Sequence, residues 1–338
     1  MVKMESRKIY KSGGSTYVMS LPKEWVKKME LEEGDSIFLS KSDKSINIYP
    51  ERGGSTVKKA TIDSSKIPSP EALQRVVIAY YLIGTSTIVI EFNSNNRSEL
   101  KQKIEKAINN LMGIELVEDI GDEITLEIFI DYKRMTLPKV LKRIYNIVNS
   151  MLNDLEKGTK FKKQQMIEDA LKRENEVDKL YFLAIRELKY ATSFQAIQEQ
   201  VGIENARDVL GYRSLVKSLE RISDHIEDIA TDYIELMKQH KELQFSEEIH
   251  KLTENLRKHL KKAWKSRITG NINEYDQVFK NLEKYEKKLN QTREKLFQEI
   301  TETSKVRKYT DIMISLSRIA QYTADMVEIE INLNTEKL

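Results

Sequence analysis

The sequence predicts a multi-domain protein: a small β domain (1–55), a middle α+β module (56–135) and an all-α domain of two three-helix bundles (136–338). Three observations carry this prediction. All five prolines, Pro22, Pro50, Pro68, Pro70 and Pro138, fall in the first 138 residues. From Lys139 onward glycine occurs at Gly158, Gly202, Gly211 and Gly270 and nowhere else. Proline breaks helix interiors and central strands, so a long proline-free, glycine-poor stretch reads as long helices. The third observation is an internal echo: Ser218-Leu219-Glu220-Arg221-Ile222 onward to Leu236 aligns with Ser315-Leu316-Ser317-Arg318-Ile319 onward to Leu333. Two copies of one three-helix unit account for that echo.

Composition narrows the class. The chain has 338 residues, 32% charged and 40% hydrophobic, which suits a folded protein with long solvated helical faces. Its 56 basic and 53 acidic residues nearly balance, so bulk charge gives no argument for nucleic acid. Cysteine is absent, which excludes disulfides, thiolate metal sites and a cysteine nucleophile. No apolar run approaches the roughly 20 residues that span a bilayer, and no signal-peptide core opens the chain. The expectation is a soluble cytoplasmic protein without membrane insertion.

The elements follow in order. Lys8-Ile9-Tyr10 and Thr16-Tyr17-Val18-Met19 read as strands around the turn Ser12-Gly13-Gly14-Ser15. Ser20-Leu21-Pro22-Lys23-Glu24-Trp25 reads as a capped helix start, ending before Gly34-Asp35. Ser36–Leu39 and Ile46–Tyr49 form a hairpin across Ser42-Asp43-Lys44, and Gly53-Gly54-Ser55 with Pro68 and Pro70 marks a linker. Then come a helix over Ala72–Leu82, a buried strand at Thr87–Ile90, a helix over Glu99–Met112, and a hairpin around Gly121-Asp122. Helices are expected over 137–157, 160–191, 203–239, 245–268, 271–302 and 305–333, with glycines near the breaks.

The stretch Glu220–Ala230 carries the main chemical signal. Tyr212, Leu215, Leu219, Ile222, Ile226, Ile229 and Tyr233 form an apolar stripe at helical spacing. Glu220, Asp224 and Asp228, four apart, form a row expected to wind away from that stripe and stay solvent-accessible. Like charges at this spacing repel, and a hard or borderline cation removes the cost. A second pair, Glu174 and Asp178, lies on the preceding helix, so antiparallel packing would let the two sets share ions. The bland alternative is a solvated face, since this acidic content gives roughly eight such pairs by chance. His225, His240, His250 and His259 lack ligand spacing, and His225 is expected at the surface. Trp25 and Trp264 read as core or staple residues rather than ligand platforms. No nucleophile–base pattern, phosphate loop or dinucleotide fingerprint appears, so the chain is not expected to be an enzyme.

The other signal is basic. Lys3, Arg7, Lys8, Lys11, Lys23, Lys27 and Lys28 face only Glu5 and Glu24 in the first 28 residues. Arg7, Lys8, Lys11 and Lys23 flank a Ser/Gly turn whose amides can approach phosphates.

The run from Leu219 to Ala230, with Glu174–Tyr181, resembles the signature of PhoU-type phosphate uptake regulators, and the resemblance spans about 190 residues from Leu137 to Leu333. It implies an all-α PhoU-like domain in which Glu174, Asp178, Glu220, Asp224 and Asp228 bind divalent or trivalent metal ions (Fe, Zn, Mn or Mg). In the second repeat Ser317 and Gln321 replace the acidic residues, leaving Asp325 and Glu328, so that site is expected to be lost or weakened. Lys11–Trp25 followed by Gly34-Asp35 resembles the AbrB/SpoVT swapped-hairpin domain. This implies a homodimer with DNA contacts at Arg7, Lys8, Lys11 and Lys23, although several arginines typical of that face are replaced by Ser, Thr and Lys.

Together these give a phosphate-responsive transcription regulator that dimerises through its N-terminal domain, binds DNA and senses metal, phosphate or transporter state. The alternative keeps the fold without DNA, as an adaptor docking to a phosphate transporter or its signalling kinase. A metal-dependent hydrolase is the third reading.

Overall fold

A computed structural model describes all residues except 1–4, 43–44, 51–58, 93–96, 193–197, 199–200, 204, 206, 241 and 336–338. The chain divides into two compact units, Met1–Val57 and Lys58–Leu338.

The first unit is built from two antiparallel hairpins and a short helix. Strand β1 (Ile9–Ser12) pairs with β2 (Thr16–Met19), setting Ile9 opposite Met19 and Lys11 opposite Tyr17. The turn between them holds Gly13 at φ 67°, a conformation that suits glycine. Helix α1 (Lys23–Lys28) has Pro22 rather than Ser20 at its cap position. Strands β3 (Ile37–Ser42) and β4 (Ser45–Pro50) form the second hairpin, and the residues at its expected turn, Asp43 and Lys44, lie outside the described set, as does the expected linker Gly53-Gly54-Ser55.

Ile9, Leu39 and Ile46 are each about two-thirds exposed, and Tyr17 and Phe38 are exposed beside them. Trp25, expected as a core or staple residue, is also exposed, because two hairpins and one six-residue helix enclose too little volume to bury an indole.

The second unit opens with a mixed sheet of order β5-β6-β8-β7. Strand β5 (Lys59–Asp63) lies in what the sequence suggested was linker; it runs parallel to β6 (Thr87–Glu91). Helix α2 (Pro70–Leu82) makes the crossover. Ser69 caps it, accepting from the Ala72 amide at 3.2 Å, with Pro70 in the first turn where no amide donor is needed. Helix α3 (Arg97–Asn109) leads to β7 (Ile114–Ile120) and β8 (Glu123–Ile128), an antiparallel pair with a bulge between Leu116 and Glu118. Leu73, Val77, Ile88, Ile90, Ile104 and Leu126 are among the residues that close this core.

The long helices are α4 (Leu137–Phe161), α5 (Gln164–Ala191), α6 (Asp208–Gln239), α7 (Ser246–Thr269), α8 (Ile272–Glu299) and α9 (Thr303–Asn334). They form two three-helix units, α4–α6 and α7–α9, which share one apolar core. Helix α6 starts at Asp208, later than the glycine at 202 suggested. The units join along α6 and α9 and along α4 and α7. Tyr145 stacks on Trp264 at 4.2 Å, and Arg257 pairs with Glu156 at 2.6 Å. Lys308 bridges Asp232 and Glu235 at 2.6 and 2.7 Å.

The mixed sheet is tied to the bundle by buried Arg186. Its Nε donates to the Tyr132 hydroxyl at 2.8 Å, Nη1 donates to the Tyr81 carbonyl, and the guanidinium lies over the Tyr81 ring. No helix among the described residues is long and apolar enough to cross a membrane.

Candidate functional site

The packing of α5 against α6 brings Glu174, Asp178 and Asp224 together, with one carboxylate oxygen from each lying within 4.8 Å of the others. All three are half-buried. Burial, reinforced by neighbouring carboxylates, raises the Glu174 pKa to about 7; Asp178, Glu227 and Asp224 are the neighbours responsible. Asp224 is likewise raised to about 7, first by burial and then by Glu220 and Asp178, with Lys217 opposing. Burial also raises Asp178, against a hydrogen bond from Glu174 and the charge of Lys217. These are oxygen donors held near one another at an electrostatic cost, and a hard divalent cation is the species that lowers it.

The expected row does not act as one set, and only Asp228 of it stays in solvent. Glu220 is 8% exposed; its Oε1 pairs with Lys217 at 2.5 Å, and its Oε2 is buried without a hydrogen-bond partner among the described residues. The Lys217 ammonium lies over the Tyr181 ring at 5.0 Å, which fixes it beside the trio. Asp228 turns the other way, 3.4 Å from His225 Nδ1. His225 is mostly enclosed rather than a surface residue: it stacks on Tyr322, and its Nδ1 lies 3.3 Å from Ser315 Oγ on α9. Burial holds its pKa below the ordinary value, with Asp228 opposing.

Sequence reasoning missed Glu227, which couples to Glu174 and Asp178 and is itself raised by burial and by Asp228. Helical geometry supplies the signal. Steps of four drift about 40° each, so by Asp228 the row has left the α5 face, whereas a step of four followed by three returns to it.

The second repeat holds a different site. Ser317 Oγ donates to both oxygens of Glu286, at 2.9 and 3.2 Å, and Arg318 donates to Gln321 at 2.9 Å. The groove there is lined by Phe279, Leu282, Glu283, Glu286, Lys287 and Ala320 among others. Among the described residues no carboxylate trio forms in it.

In the N-terminal unit Arg7 pairs with Glu5 at 2.5 Å, while Lys8, Lys11 and Lys23 are exposed. The β1–β2 register puts Lys11 on one face with Ile9, Tyr17 and Met19.

Compared with known proteins, residues 141–233 match the PhoU domain family, and residues 10–56 match the family described as antidote-toxin recognition MazE, bacterial antitoxin. No curated protein sequence matches the chain. Among solved structures the chain resembles the phosphate transport system regulatory protein PhoU from Streptococcus pneumoniae. The TM-score is 0.50 at 17% identity, over 59% of this chain and 94% of that one. It also resembles PhoU from Pseudomonas aeruginosa, with TM-score 0.50 and 14% identity over 59% of this chain and 96% of that one. The long-helix part therefore has the PhoU fold, preceded by a small mixed sheet and an N-terminal hairpin unit similar to MazE-type domains.

Proposed function

We propose that this protein is a cytoplasmic, phosphate-responsive transcription regulator, with residues 1–55 binding DNA as a homodimer, 56–135 coupling, and 136–338 sensing. The observation that carries the reading is the conjunction of a PhoU-fold bundle with a MazE-like unit whose strands leave Ile9, Phe38, Leu39 and Ile46 uncovered. Each such side chain gains about 1.5–3 kcal/mol when fully buried, and a second copy of the unit supplies the cover.

Glu174, Asp178 and Asp224 fit one divalent ion in ligand chemistry and spacing. Glu227 and Glu220 stand beside them as further oxygen donors, and Asp228, held by His225, contributes least. Bound there, Fe, Zn, Mn or Mg supplies positive charge that fixes α5 against α6; no catalytic role is assigned.

Lys8, Lys11 and Lys23 contact DNA phosphates, and Arg7 joins them once released from Glu5. The test is DNA retention by the full-length protein across a salt series. Wild type should bind with a steep salt dependence, and Lys11→Ala/Lys23→Ala, which removes four lysines from the dimer, should flatten the log–log slope by about three to four. An unchanged slope removes these contacts. Protein that retains no genomic fragment favours the adaptor that docks to a phosphate transporter or its signalling kinase.

A further inference from the structure

Helices α7 and α8, away from the acidic trio, carry a marked charge imbalance. Residues 257–288 hold ten Lys or Arg against four Asp or Glu, a surplus of six in a chain whose net charge is +3. The remainder of the chain is therefore acidic on balance, and this helical pair is a local source of positive potential.

Along α7 the imbalance begins partway down one face. Up to Lys258 the exposed lysines are matched at i,i+4 spacing: Lys251 pairs with Glu247 at 3.1 Å and Lys258 with Glu254 at 2.7 Å. Lys261, Lys262 and Lys265 continue that face at steps of three and four. All three are exposed and have no ionic partner among the described residues. Helix α8 extends the same surface. Lys295 reaches Glu248 of α7 at 3.1 Å, which identifies the side of α8 that adjoins α7. Lys288 and Lys284 lie on that row, two and three turns earlier, and are exposed. The antiparallel pairing that sets His259 edge-on to Tyr285 brings Lys258 level with the turn of α8 that holds Lys284.

The turn joining the two helices is apolar where it meets solvent. Ile268 is 82% exposed and Ile272 is 52% exposed, on either side of Gly270. The acids nearest the turn are engaged: Glu330 holds Arg267 at 2.6 Å, Glu274 accepts from the Thr269 hydroxyl at 2.7 Å, and Asp276 pairs with Lys280 at 2.5 Å. Uncovered isoleucines beside unpaired ammonium groups make an interfacial surface, in which alkyl groups enter the acyl boundary and lysines meet anionic headgroups. Nucleic acid offers phosphates to the lysines but no apolar layer to the isoleucines.

We propose that the α7–α8 hairpin is a membrane-surface contact that adsorbs on an anionic lipid leaflet. Lys261, Lys262, Lys265, Lys284 and Lys288 meet the headgroup phosphates, and Ile268 and Ile272 enter the acyl boundary. The chain lies on the bilayer rather than crossing it, since no helix among the described residues is long and apolar enough to span one. The attraction is screened by salt, over a Debye length of about 8 Å at physiological ionic strength. Adsorption brings the bundle to a membrane without a protein receptor, and it does not depend on the N-terminal unit binding DNA.

The test is co-sedimentation of the full chain with vesicles of phosphatidylcholine alone and of phosphatidylcholine with about one third phosphatidylglycerol. Wild type should bind the anionic vesicles, leave the zwitterionic ones, and be largely released by about 0.5 M salt. Lys261→Glu/Lys265→Glu should weaken binding at least about tenfold, and Ile268→Ser about threefold. These positions are exposed, so both variants should melt at the wild-type temperature. Lys11→Ala/Lys23→Ala should bind vesicles as wild type does, which separates this surface from the DNA contacts. Absence of binding to anionic vesicles, equal binding by wild type and the Lys261→Glu/Lys265→Glu variant, or loss in the Lys11→Ala/Lys23→Ala variant instead overturns the proposal. So does a Lys261→Glu/Lys265→Glu variant that loses DNA and keeps vesicles, which assigns the surface to nucleic acid.

Discussion

The two three-helix units share a fold and differ in what their pairing faces hold. Between α5 and α6 three carboxylates converge, while at the corresponding place between α8 and α9 Glu283 and Glu286 stand with a serine, a glutamine, a lysine and two alanines and form no such trio among the described residues. The backbone repeat thus outlasts the chemistry. The helices pack through Leu, Ile and Tyr at core positions, and that packing is indifferent to the identity of the side chains on the adjoining rim. A like-charged rim is costly to keep without a counter-charge, whereas the Ser317–Glu286 hydrogen bonds satisfy themselves.

The comparison breaks first on metal. Full-length protein equilibrated with Mn, Zn or Fe and desalted should retain about one ion per chain. Asp224→Ala should retain none, while Ser317→Ala stays at the wild-type value by elemental analysis. Metal-free wild type under all three conditions, or retention unaffected by Asp224→Ala, would make the trio an acidic patch and the two repeats functionally alike.

Next in size are the glycines at the two first-to-second helix turns. A Cβ on Gly158 would come within 2.3 Å of Ile167 Cγ1 and 3.3 Å of its backbone nitrogen, so Gly158→Ala should cost about 1–3 kcal/mol in urea melts. Gly270 has open space around it but sits at φ 61°, so Gly270→Ala should cost about 1 kcal/mol through backbone strain alone. Equal losses would mean that both turns are limited by the same term.

A third difference is titratable. Glu187, on the core stripe of α5, is fully buried with neither oxygen hydrogen-bonded among the described residues, and burial raises its pKa to about 9. Between about pH 4.5 and 9 the folded chain holds this proton and the unfolded chain does not, so stability falls as pH rises through that window. Glu187→Gln should remove that part of the slope, matching wild type near pH 4.5 and exceeding it in stability at neutral pH. A variant whose stability falls with pH as steeply as wild type would show that Glu187 ionises normally.

The smallest effect is expected at Ser317→Ala, less than about 1 kcal/mol in the same melts, because Glu286 remains within reach of water.

Much of the architecture was legible in the residues. Proline confinement located the helical part, the Ser218/Ser315 echo located its repeat, and helix positions followed from apolar spacing and glycine breaks. Strand β5 escaped notice because Lys59–Asp63 sits between turn-rich stretches and becomes a strand only by pairing with β6. Trp25 is not a core residue because burial of an indole depends on how much chain surrounds it. His225 was misplaced because only the packing of α9 on α6 encloses it.

What the sequence by itself determined is local: which segments are helical, which face of each is apolar, and which acids lie on one helix. Those follow from propensity and period, which are properties of neighbouring residues. Tertiary structure alone decided which acids meet. The approach and rotation of α5 against α6 selected Asp224 and Glu227 over Asp228, and set Lys217 beside them. It also set the row of Lys284 and Lys288 on α8 beside the lysines of α7, as the Lys295–Glu248 pair fixes. Side chains apart in sequence share a surface only through the packing of the helices that carry them.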